Sequence, residues 1–171
     1  MHIRPATEND IPALCDLQNL AIRDIDWMWI EKPETLDMRK AWFAERQHSG
    51  FPVIVAVDDD GSILGYASYG TFRGRDGYDL TVEHSVYLFP EARGKGTGKA
   101  LLAEIIELAR KDGRHAMVAI IDAENTLSIK LHEQFGFIHG GFMPQLGKKR
   151  GRWRDQVAMY LLLDDRETPP A

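Results

Sequence analysis

Arg93-Gly94-Lys95-Gly96-Thr97-Gly98 is a run of alternating glycines carrying two cations. It stands between the β-branched and apolar stretch Thr81–Leu88 and the segment Lys99–Arg110. In that segment Leu101, Leu102, Ile105, Leu108 and Ala109 recur at helical spacing. The predicted order is therefore strand, glycine-rich turn, helix, which aims main-chain N–H groups and the positive end of a helix at a phosphate. Spacing separates the loops that share this device. A Walker A loop needs Gly-x-x-x-x-Gly-Lys-Ser/Thr, but Arg93 stands where its first glycine belongs and Ala100 replaces the magnesium-binding hydroxyl. A dinucleotide fingerprint needs Gly-x-Gly-x-x-Gly, whereas Gly94, Gly96 and Gly98 alternate. A plain surface turn is the remaining alternative. Arg93, Lys95 and a helix that starts directly at Lys99 weigh against it.

Upstream, His2–Arg4 reads as a short strand, and Thr7 with Asp10 forms a capping-box pattern ahead of Ile11, Leu14, Cys15 and Ile22. A second helix is predicted over Leu36–His48, ending at Gly50. Pro52–Val57 and Ile63–Tyr69 read as a hairpin about the turn Asp58-Asp59-Asp60-Gly61, which lacks the spaced ligands and distal Glu of a calcium loop. Downstream, a strand over His115–Ile121, a helix over Asn125–Phe135 and strands over Phe137–Phe142 and Asp155–Leu163 complete the series. Hairpins first and βαβ units later predict an α/β (α+β) fold. Its sheet is mixed, mostly antiparallel and twisted, has seven strands, and carries helices on both faces. The domain is placed at 1–163 and a flexible tail, with Pro169-Pro170, at 164–171.

The 171 residues suffice for one domain with one core. With 21 Lys and Arg against 26 Asp and Glu, the net charge of −5 argues against a nucleic-acid partner. Cys15 stands alone, so no intrachain disulfide can form. The opening residues carry Glu8, Asp10 and Asp16 between prolines, unlike a signal peptide, and no apolar run is long enough to span a membrane. A cytoplasmic location follows by default. The histidines other than His132 are scattered, without paired ligand spacing, so no metal is expected.

Arg93, Gly96 and Gly98 fill the pattern Arg/Gln-x-x-Gly-x-Gly/Ala, and here the chain resembles the GNAT superfamily of acetyl-CoA-dependent N-acetyltransferases. The blocks Thr81–Leu88, Asp122-Ala123-Glu124-Asn125, Leu131–Phe137, Met143-Pro144-Gln145 and Gly151-Arg152-Trp153 are similar to its phosphinothricin and methionine-sulfoximine acetyltransferase branch. So is His132, which stands where many GNAT enzymes have Tyr.

The resemblance implies a GNAT fold, acetyl-CoA as co-substrate and a homodimer. It implies that the turn from Arg93 to Lys99 binds the pyrophosphate, that main-chain groups of Val86, Tyr87 and Leu88 pair with the pantetheine arm, and that Asn125 also contacts the cofactor. An amine is protonated at neutral pH and must lose that proton before it attacks, so a general base is required. Glu83 interrupts an otherwise apolar or hydroxyl-bearing strand, and alone would read as solvent-facing. The family pattern makes it the base and makes His132 a proton relay. Which of the two acts first is left open.

Anionic acceptors call for guanidinium groups near Glu83, and Arg73 and Arg75 are the candidates, with Trp29, Phe72, Tyr78 and His84 completing the expected acceptor site. Asp26, Trp27, Phe72, Arg75, Arg150 and Arg154 depart from the branch. The five cations of Lys148–Arg154 read as a solvated hairpin rather than a nucleic-acid patch. The implied reaction is acetylation of a small amino acid or its analogue. Another amine acceptor (a polyamine, aminoglycoside or peptide N-terminus) and a non-catalytic acyl-CoA-binding module are the alternatives.

Overall fold

The computed structural model describes residues 1–170. Strands β1 (His2–Pro5), β2 (Val53–Val57), β3 (Ile63–Thr71), β4 (Thr81–Leu88), β5 (Ala116–Asp122), β6 (Ile138–Lys149) and β7 (Arg152–Leu162) form one sheet in the order β1-β2-β3-β4-β5-β7-β6. Every neighbouring pair is antiparallel except β4–β5. Helices α1 (Ile11–Asp24) and α2 (Leu36–His48) cover one face, where Leu14, Leu17 and Phe43 pack on Val53, Val55 and Tyr66. Helices α3 (Thr97–Lys111) and α4 (Thr126–Gln134) cover the other. There the α3 stripe Leu101, Leu102, Ile105 and Ala109 is fully buried against Val82, Met117 and Met159.

The α2 and β4 boundaries coincide with the sequence expectation. Helix α3 begins two residues earlier than predicted, at Thr97, because Gly96 takes a left-handed φ of 84° and becomes its N-cap. Strand β6 runs on past its predicted end to Lys149, and β7 begins three residues before its predicted start, at Arg152. Irregularities between His139 and Gly141 and between Met143 and Gly147 let β6 carry its glycines and Pro144 within one ladder.

The solvated-hairpin reading of Lys148–Arg154 holds for the exposed Lys148, Arg150 and Arg152 and is corrected for Lys149 and Arg154. Arg150 and Gly151 (φ 49° and 71°) form the two-residue turn, and the hairpin tip folds onto the segment after α1. Lys149 is buried, and its Nζ donates to the carbonyl oxygens of Ile22, at 2.7 Å, and Ile30. Arg150 pairs with Asp26 at 2.7 Å. Arg154 is buried in a bidentate bond to Asp122. The hairpin thus supplies partners for carbonyls of the last turn of α1 and of the segment after it. At the start of the tail, Asp164 bonds His115 at 2.8 Å and Arg166 reaches the Gly113 carbonyl at 2.9 Å. Ala171 lies outside the described residues. Among those residues no helix is long and apolar enough to cross a membrane, and no group of three or more His, Cys, Asp or Glu could hold a metal ion.

Candidate active site

The parallel pairing of β4 with β5 covers only Thr81–Glu83 against Ala116–Val118, although β4 runs on to Leu88 and β5 to Asp122. Beyond Glu83 the two strands diverge, and the β5-facing main-chain groups of Ser85–Leu88 have no strand partner. Such an edge accepts an extended, amide-bearing chain as an added strand.

The glycine-rich turn follows at the end of β4. Gly94 and Gly96 have φ of 73° and 84°, a region that disfavours side chains. No side chain caps α3, so the N–H groups of its first turn are free for an anion. A Cβ on Gly98 would stand 3.2 Å from Leu88 Cδ1, so glycine lets the helix end close on β4. Arg93, Lys95 and Lys99 are exposed beside the turn, whereas Thr97 is buried. Asn125 Oδ1 accepts from Ser128 N at 3.2 Å, capping α4. A diphosphate at the turn and a pantetheine arm in the opening fit these groups.

Alternation along β4 sends Glu83 and His84 to opposite faces of the sheet. Glu83 faces α1 and α2, in a cavity of about 120 Å³ that is also lined by Gln18, Glu34, Arg39, Trp42, Arg46, Tyr66, Ser85 and Tyr87. Burial raises the Glu83 pKa above the ordinary carboxylate value, and the Arg46 charge partly opposes the rise. A carboxyl so placed is a stronger proton acceptor when ionised than one in water.

His132 and His84 meet on the α4 side. Their rings stack at 5.1 Å, with Nε2 to Nε2 at 3.1 Å and Phe137 edge-on to both. His132 Nδ1 lies 2.6 Å from the Ser128 carbonyl oxygen, so it carries the proton there, leaving Nε2 to accept from His84 Nε2–H. His84 Nδ1 is then a buried acceptor without a partner.

Burial, followed by the neighbouring His132, lowers the His84 pKa to about 3, and burial lowers that of His132. Both values lie below those of the unfolded chain, so unfolding takes up protons below about pH 6.5, and stability falls as pH falls. We expect a loss of about 1.4 kcal/mol per pH unit for each fully shifted histidine. Urea denaturation between pH 7 and 5 reads that slope, and His84→Asn should flatten it. An equal slope in the variant would remove the pair as its source.

Glu83 and His132 are therefore not on one side of the sheet; the opening lies between them. His84, expected in the acceptor site, belongs with His132. Trp29 Nε1 donates to Asp122 Oδ2 at 2.6 Å, and its ring lies on Gly147, where a Cβ would come within 2.2 Å of Cε3. Phe72 and Tyr78 pack edge to face at 5.6 Å beneath the Arg73 guanidinium, and Arg75 is exposed. None of Trp29, Phe72, Arg73, Arg75 and Tyr78 lines the Glu83 cavity.

The cations beside Glu83 are instead Arg39 and Arg46 of α2, which sequence reasoning missed. A signal was present: Arg39, Trp42, Phe43 and Arg46 follow the spacing of a single helix face, so two arginines occupy positions that a core-facing stripe would give to apolar residues.

The profile of the Acetyltransferase (GNAT) family matches residues 14–137. The L-methionine sulfoximine/L-methionine sulfone acetyltransferase of Pseudomonas aeruginosa is 46% identical over 168 residues, covering 98% of each chain. The structure of yncA from Salmonella typhimurium, solved with its cofactor acetyl-CoA, superposes with a TM-score of 0.96 at 43% identity, over 100% of this chain and 98% of that one. A phosphinothricin acetyltransferase from Sinorhizobium meliloti in complex with acetyl-CoA superposes with a TM-score of 0.95 at 34% identity, over 99% of this chain and 92% of that one. The glycine turn, the divergent strands and these likenesses agree, and the chain belongs to the GNAT family, as an acetyl-CoA-dependent N-acetyltransferase.

Proposed function

We propose that the protein transfers the acetyl group of acetyl-CoA to the amine of a small amino acid or analogue of the methionine sulfoximine, methionine sulfone or phosphinothricin type. The observation that carries this reading is the place of Glu83. It is the last residue of β4 paired with β5, so its carboxyl stands where the opening begins and faces a small cavity on the acceptor side. Glu83 takes a proton from the bound ammonium, directly or through water. The freed amine attacks the thioester carbonyl within a ternary complex, the C–S bond breaks, and the thiolate leaves, taking up the second proton that the nitrogen sheds as the amide forms. Cys15 is buried among α1 core residues and forms no acyl intermediate in this scheme.

The His84–His132 pair lies buried on the opposite face of the sheet. A relay through His132 runs in series with His84, whose buried Nδ1 is the unpartnered end of the pair. Assembly as a homodimer belongs to the same reading, supported by the exposed Ile138, Phe142 and Leu146 on edge strand β6.

Saturating acetyl-CoA is expected to raise stability by about 2.7 kcal/mol at a hundredfold excess over Kd. Free-thiol release across amino acids, polyamines, aminoglycosides and peptides then identifies the acceptor. No thermal shift at saturation undoes the cofactor assignment, and turnover confined to polyamines or peptides undoes the acceptor assignment.

A further inference from the structure

Gly70 is the cross-strand partner of Glu83, so a side chain there would lie beside the carboxyl on the same face of the sheet. Strand β3 leaves that place empty, and α2 fills it. The Arg46 guanidinium lies on the main chain at Gly70, where a Cβ would come within 2.2 Å of Nη1, 2.5 Å of Cζ and 2.7 Å of Nη2. Trp42 and Phe51 hold it there, their ring centres 5.6 and 5.7 Å from Cζ.

The other groups that face Glu83 are balanced or neutral. Helix α2 also contributes Arg39, the segment before it Glu34, and α1 only the uncharged Gln18. Tyr66 and Tyr69 of β3 and Tyr87 of β4 stay neutral, because burial raises the pKa of all three phenols. On β5 the residue beside Glu83 is Val118, and His84 points to the opposite face. Arg39 closes on Glu34 at 2.6 Å. Two guanidinium groups therefore meet two carboxylates, and with Arg39 matched by Glu34, Arg46 is the counter-charge of Glu83. Its outer edge touches the exposed Glu45 at 3.2 Å, while its buried Nε–H has no acceptor. Arg46 acts on Glu83 through charge, without a hydrogen bond.

The geometry points to Arg46 as a positioning residue of the proton-transfer step: pinned on Gly70, its charge holds Glu83 in the ionised form that can accept a proton. This role rests on Glu83 being the base, as proposed above, and explains how a carboxyl sunk beneath two helices stays usable. A cation held beside the carboxylate suits the task better than a direct salt bridge. A bonded guanidinium would occupy the lone pairs that the substrate proton needs. Glu83 gains the proton that the ammonium loses and gives it to solvent once the product has left. Arg46 exchanges none.

The test is the pH dependence of kcat/KM for methionine sulfone at saturating acetyl-CoA. Taking the ratio of variant to parent cancels the titration of the acceptor's own amine. Arg46→Met should move the acidic limb to higher pH, with about a 3–10-fold loss near pH 6 and none on the alkaline plateau. Arg46→Lys, which keeps the charge, should stay close to the parent. Gly70→Ala keeps the arginine but pushes its guanidinium away, and should lose activity at the acidic end as Arg46→Met does. Melting with CoA shows that each variant is folded. A loss equal at every pH, or a limb that does not move, would overturn the role of Arg46. Glu83→Gln separates this role from the base assignment. A limb that persists there ends the base assignment, and Arg46 falls with it; a limb that vanishes there yet stays in place in Arg46→Met removes Arg46 alone.

Discussion

Glu83→Gln should lower kcat by about 10²–10⁴-fold while acetyl-CoA affinity is retained. The substitution keeps the shape and removes the only function the position needs, a lone pair able to hold a proton. The glycine-rich turn begins ten residues later and is untouched. The pH profile carries the sharper signature. Burial lifts the Glu83 pKa, so the parent's kcat/KM should rise with pH through a value above the ordinary carboxylate range as the base ionises. In the Gln variant that acidic limb should vanish. Rates near those of the parent, or an unchanged limb, would take Glu83 out of the reaction.

Asp122→Ala should cost about 3–5 kcal/mol of stability. Its carboxylate is buried and accepts from Arg154 Nε and Nη2 at 2.7 and 2.8 Å, from Trp29 Nε1 at 2.6 Å and from Glu124 N at 2.9 Å. Burial alone would raise its pKa, but these bonds outweigh that and hold it below the ordinary value. Removing it leaves a guanidinium buried with only Glu124, at 2.9 Å, as counter-charge. Because a buried ion pair is costly mainly when broken, the double variant Asp122→Leu with Arg154→Met should regain much of the loss. Chemical denaturation of the three proteins checks this, and a single variant within about 1 kcal/mol of the parent would contradict it.

Features encoded by neighbouring residues could be read in advance. The glycine turn, the limits of α2 and β4 and the Asn125 cap each depend on periodicity or turn chemistry within a few positions. The opposite facing of Glu83 and His84 follows from strand alternation, yet its meaning required knowing which helices cover each face. Contacts between distant segments left no local trace. Lys149 meets the carbonyl of Ile22 across 127 positions, and a run of cations reads as surface until the loop it serves is in place. Arg46 was missed for the same reason. Its partner is the bare main chain at Gly70, and only the fold brings them together.

Among the described residues, the three residue pairs that join β4 to β5 are also the only strand contact between two half-sheets, β1–β4 and β5–β7. Mechanically, the molecule resembles a hinge with a short seam, bridged from behind by α3. Whatever occupies the gap beside that seam supplies hydrogen bonds which the polypeptide withholds from itself. An acyl donor seated there, as proposed above, would also be a keystone: it would stiffen the body that uses it during the interval when its geometry matters.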